Sequence, residues 1–125
     1  MKILLTRDSV CQGDDGDAPH PRTISVNDNC TVQQVLEAIR RSEYLPRIAG
    51  GKASWVACSG TPMGVLAEEW DESRTIWTMS AGTISSRTKE VDWSDGCLKV
   101  HICYLAQIGP ELVMNVVERL RMRFT

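Results

Sequence analysis

Two short apolar stretches open the chain, at residues 2–7 with Ile3 and Leu5 on one face, and at residues 23–26 with Ile24 and Val26 on one face. Gly13, Gly16, Pro19 and Pro21 lie between them and prevent either stretch from running through, so the pair predicts a hairpin with an overlong tip. A tip of that length is uncommon unless it has a function or moves. The period then changes. Val32, Val35, Leu36 and Ile39 fall at i, i+3, i+4 and i+7, one apolar stripe of an amphipathic helix. Thr31 is placed to cap that helix, and Gln34 three residues later completes a capping box. Arg40 and Arg41 suit its last turn, while Pro46 and Gly50-Gly51 forbid continuation much beyond Tyr44.

Strand patterns follow. Residues 54–58 and 63–67 flank Ser59-Gly60-Thr61-Pro62, a turn signal for a second hairpin, and residues 74–79 carry β-branched and aromatic side chains suited to another strand. Residues 80–88 are small, polar and glycine-containing, which predicts a mobile loop. Residues 91–93 and 98–105 bracket Ser94-Asp95-Gly96, a further hairpin turn, and Leu98, Val100, Ile102 and Tyr104 alternate as a half-buried strand does. Gly109-Pro110-Glu111 opens a last helix, with Leu112, Val113, Val116, Val117 and Leu120 on a broad apolar face. The expected fold is α+β: one domain over residues 1–125, with a mostly antiparallel sheet, an amphipathic helix packed on it, and a C-terminal helix.

A leading hairpin that runs into Thr31-Val32, Val35-Leu36 and Ile39, with further strands after, resembles the ubiquitin-like β-grasp arrangement over about the first two thirds of the chain. The resemblance implies a ββαββ core. The chain ends in Arg-Phe-Thr and not in a diglycine, so conjugation through the C-terminus, as in ubiquitin, is not among the expectations. Fold likeness by itself implies little about function.

Composition narrows the class. With 42% apolar and 24% charged residues the chain is ordinary for a water-soluble domain, and a net charge of −2 offers no global attraction to nucleic acid or to an anionic membrane. The apolar run at the start is too short for a signal-peptide core, and five cysteines (11, 30, 58, 97 and 103) include no CxxC spacing. Reduced thiols and a cytoplasmic location are expected. Arg119, Arg121 and Arg123 suit the negative end of a terminal helix better than a nucleic-acid grip.

Charge is concentrated in two places. Asp14, Asp15, Asp17 and His20 fall within the hairpin tip, where packing is not expected to require them, and Glu68, Glu69, Trp70 and Asp71 form a second cluster around an aromatic residue. Adjacent carboxylates repel, so a loop that concentrates them is better explained by a basic partner than by solvation alone. Tryptophan among acids suits an interface anchor, and Trp93 beside its hairpin turn is a further candidate, whereas Trp55 and Trp77 are expected in the core. Asp14, Asp17 and His20 could hold a cation, but their spacing is not that of an EF-hand.

His101 and Cys103 share one strand face opposite Val100 and Ile102, and Cys58 or Cys97 could approach them. A Cys–His pair is the minimum for thiol catalysis, yet the sequence places no third orienting group, and core packing explains the cysteines more simply. A zinc site from these residues lacks the close ligand pair usual in structural zinc. No metal or cofactor is therefore expected, and no catalytic residue. The sequence points to a small non-enzymatic protein-binding domain, in one version an inhibitor or immunity protein that meets a basic partner through its acidic patches. The alternatives are a metal-dependent hydrolase using the loop carboxylates and His20, and a ubiquitin-like adaptor in a larger assembly.

Overall fold

The computed structural model describes residues 1–46, 52–69, 72–78, 82–87 and 90–105. Within them the chain forms β1 (Lys2–Arg7), a 3-10 turn (Gln12–Asp17), β2 (Arg22–Ser25) and α1 (Val32–Arg41). There follow β3 (Lys52–Cys58), β4 (Pro62–Glu69), β5 (Glu72–Thr78), a second 3-10 turn (Ile84–Arg87), β6 (Trp93–Ser94) and β7 (Cys97–Tyr104). The expected C-terminal helix lies outside the described residues. No helix among the described residues is long and apolar enough to cross a membrane.

The architecture is a mixed α+β sheet with one helix against it. The strands run in the order β2-β1-β7-β3-β4-β5, and short β6 pairs with β7. All neighbours are antiparallel except one pair in the interior of the sheet. There β1 and β7 run parallel in the register Ile3–Leu98, Leu5–Val100 and Arg7–Ile102. A parallel pair needs a crossover, and everything between β1 and β7 supplies it.

Alternation divides the sheet into two faces. Ile3 and Leu5 of β1, Leu98, Val100 and Ile102 of β7, and Ala53, Trp55 and Ala57 of β3 pack with Val32, Val35, Leu36 and Ile39 of α1 in one buried cluster. Burying each of the larger side chains stabilises the fold by roughly 1.5–3 kcal/mol before ordering costs. Met63 and Leu66 join this cluster although they lie three positions apart, which plain alternation forbids. A register shift between Ala57 and Cys58 in the β3–β4 ladder leaves Met63 as the extra residue on β4, and this puts it on the core face with Leu66. Val65 then joins Val56 in a smaller cluster, flanked by Cys58 and Leu105.

Turns follow their residues. Asp95 and Gly96 both take positive φ, 54° and 76°, the pattern of the two-residue hairpin turns that match strand twist. Gly60 also has positive φ (70°), a conformation that favours glycine, and a Cβ there would meet the backbone of Glu90 to Asp92 at 3.6–3.7 Å. Of the stretch expected as a mobile loop, residues 82–87 are described, and two of them are held against the rest of the fold. Ile84 is fully buried in the main core, its amide donates to the Cys30 carbonyl at 3.0 Å, and Thr83 forms a bridge with Thr31. A single apolar residue among small polar ones escapes a periodicity reading, yet it anchors this segment.

Candidate functional site

The hairpin tip is built around Arg7. As the last inward-facing residue of β1, its guanidinium reaches the edge of the core, where a buried charge must be paired. Asp14 supplies the pair. Nη1 donates to Asp14 Oδ2 at 2.7 Å and Nη2 to Oδ1 at 3.2 Å, a two-pronged contact, while Nη1 also donates to the Asp8 carbonyl at 3.0 Å. The Val10 amide donates to Asp14 Oδ2 at 3.2 Å. Hydrogen bonding from Arg7, helped by the Val10 amide, holds the Asp14 carboxyl down at about 2 against the opposing effect of desolvation.

Asp14 thus contributes to packing, contrary to the expectation that the tip needs none of its acids. His20 is tied as well. Its Nε2 lies 3.0 Å from Ser9 Oγ and 3.5 Å from Asp14 Oδ2, its backbone takes φ of 59°, and its carbonyl accepts a hydrogen bond from the Tyr44 hydroxyl. Tyr44 also lies beneath the guanidiniums of Arg7 and Arg22, 5.9 and 5.2 Å from the ring centroid. Asp15 and Asp17 differ. Both are exposed on the 3-10 turn and are the acids of the tip directed to solvent.

The second expected patch is only partly described. Trp70 and Asp71 lie outside the described residues, as do the side chains of Glu69 and Trp77. Glu68 is 6% exposed, so it offers a partner almost no surface. Trp55 is fully buried, as its strand position predicts, with its ring 4.7 Å from that of Tyr104. Trp93 is 40% exposed and lies between exposed Asp92 and the exposed Asp95 turn, an aromatic residue among acids at the opposite end of the sheet from the tip.

A third constellation lies on the sheet face opposite α1. In the registers of β7 with its two neighbours, Thr6, His101 and Cys58 form a row across three strands, and Cys103 stands two residues along β7. Asp8 completes the group. It follows β1 directly, and the parallel pairing carries it to the end of β7. Its Oδ1 lies 2.8 Å from His101 Nε2, and its Oδ2 accepts from the Tyr104 amide at 3.0 Å. Thr6 Oγ1 lies 2.8 Å from His101 Nδ1, so both ring nitrogens are engaged.

Asp8 is the orienting group that sequence reasoning missed. It is 93 residues from His101, and no local pattern marks it. Burial, above all, pushes the Cys58 thiol up to about 12, with the adjacent Cys103 and Asp8 adding to it. Burial and the Asp8 charge also raise Cys103. The shift of both thiols runs opposite to the one that activates a nucleophilic cysteine. Cys97 does not join it; its thiol contacts the Ser94 carbonyl at 3.5 Å.

Comparison with protein-family models, with curated proteins and with solved structures finds no match.

Proposed function

We propose that this chain is a small non-enzymatic protein-binding domain, a β-grasp-like module whose acidic hairpin tip docks on a basic surface of another protein. The observation that carries the reading is the tethered tip. Asp15 and Asp17 stand exposed on a turn whose base is fixed by Arg7–Asp14, by Ser9 and by Tyr44. A loop ordered in advance loses less freedom on docking, and carboxylates at its crest speed encounter with a basic surface and disfavour acidic ones. The β-grasp likeness draws on the strand order β2-β1-β7-β3-β4 with β1 and β7 parallel, and on α1 following the first hairpin. One version is an inhibitor or immunity protein that inserts the tip into the basic active site of a nuclease toxin.

A second reading, a ubiquitin-like adaptor, draws on a different feature. A groove of about 850 Å³ runs between β2 and α1, lined by Ile24, Val26, Cys30 and Ala38 among others, and β2 pairs only with β1 among the described residues. An extended segment can add to such an edge and lay side chains in the groove. The hydrolase alternative is not favoured, because Asp14 gives both carboxylate oxygens to Arg7.

Affinity capture from lysate at low and high salt, with the parent chain and Asp15→Asn/Asp17→Asn, separates the two readings. Tip docking predicts a stoichiometric partner that is lost in high salt and lost with the double variant. A partner retained in both conditions sinks the tip reading and favours the groove. The variant spares Asp14, whose loss would disturb the fold as well.

A further inference from the structure

We propose that Asp8, His101 and Cys103 form a binding site for one divalent ion of the zinc type, with the fourth coordination position open to solvent. Donor atoms from the three side chains all lie within 4.8 Å of one another. Around a tetrahedral zinc with bonds of about 2.0–2.3 Å, ligand atoms sit roughly 3.3–3.8 Å apart, so small side-chain adjustments close the trio around an ion. The donor set selects the ion. Carboxylate oxygen, imidazole nitrogen and thiolate sulfur are together the ligands zinc uses, whereas magnesium and calcium prefer oxygen alone.

The surroundings fit ligation. A metal-bound imidazole needs its other nitrogen fixed, and Thr6 Oγ1 lies 2.8 Å from Nδ1, which leaves Nε2 for the ion. The Tyr104 amide holds Asp8 Oδ2 and leaves Oδ1 directed at Nε2. The His101 and Asp8 side chains are 41% and 45% exposed, so an ion has a path in and water has access to the open position. On binding, Cys103 releases its thiol proton to solvent and coordinates as thiolate; the proton that Nε2 holds against Asp8 Oδ1 leaves through solvent, and the neutral imidazole then carries its proton on Nδ1 and donates it to Thr6 Oγ1. Cys58 adjoins the Cys103 sulfur and is not one of the trio. Neither the acidic tip nor a partner enters this inference.

The test uses the full chain, kept reduced and stripped of metal by a chelator. Zn²⁺ is titrated calorimetrically, and Co²⁺ serves as the spectroscopic probe of sulfur ligation. The expected result is one Zn²⁺ per chain and a thiolate-to-cobalt charge-transfer band. Cys103→Ser removes the band, and it, His101→Gln and Asp8→Asn each weaken zinc binding by roughly tenfold to 100-fold or more. Cys58→Ser and Cys97→Ser keep both the band and the stoichiometry. Circular dichroism of each metal-free variant reports folding independently, and the two exposed ligands supply folded variants should Cys103→Ser fail. Absence of stoichiometric zinc uptake, a band that survives Cys103→Ser, or a band lost in Cys58→Ser overturns the three-ligand assignment.

Discussion

At Arg7 a guanidinium is carried into the edge of an apolar core, and Asp14 makes that tolerable. Removing one partner of such a pair leaves the other charge desolvated, so Asp14 acts as a structural residue within a surface loop. Its carboxyl titrates at about 2 in the folded protein against an ordinary 3.8. The stability it contributes is therefore present in full above about pH 4 and disappears as the pH falls through about 2. Asp14→Asn is expected to melt below the parent at neutral pH, and the gap between the two is expected to narrow from pH 4 to pH 2. Thermal melts of both proteins across that range check this, and a constant gap would show that the ion pair contributes nothing. Charge clustering made this loop conspicuous in the sequence, but only the fold distinguishes the tethering acid from Asp15 and Asp17.

Elements with a local physical cause were legible. The reciprocal bonds at the start of α1 are the expected ones: the Gln34 amide donates to Thr31 Oγ1 at 3.1 Å, and the Thr31 amide to Gln34 Oε1 at 2.8 Å. Thr31→Ala is expected to cost about 1 kcal/mol, measured by urea denaturation, with Thr31→Ser close to the parent. Boundaries shifted by a residue or two, as at β2, which begins at Arg22 where the pattern suggested Thr23. Two features escaped periodicity. The bulge at Met63 in β4 breaks its alternation with Leu66, and Ile84 is anchored through contacts distant in sequence. In both, tertiary packing overrides the local pattern.

Over the whole molecule, the parallel pairing of β1 with β7 decides most. It places the first and last described strands side by side in the interior of the sheet, flanked by β2 on one side and β3 on the other. Amide hydrogen exchange is expected to be slowest in β1, β7 and β3 and faster in β2, which among the described residues has one ladder. Exchange in β1 as fast as in β2 would contradict this arrangement. The same pairing assembles the Asp8–His101–Cys103 group. His101 and Cys103 shared a face in the sequence pattern; Asp8 joined them only when β1 was laid beside β7.

By itself the sequence determined the α+β class, the amphipathic helix with its cap, the hairpins around Gly60 and Gly96, and the alternation that puts Val100 and Ile102 inward. These rest on interactions within a few residues, and such interactions are written in local spacing. The tertiary structure alone decided which strands are central, that Asp14 is tethered while Asp15 and Asp17 are free to meet solvent, and that Glu68 is buried. It also decided that Asp8 faces His101. Those outcomes depend on contacts between distant segments, whose register is set by how the whole sheet buries its apolar face against α1.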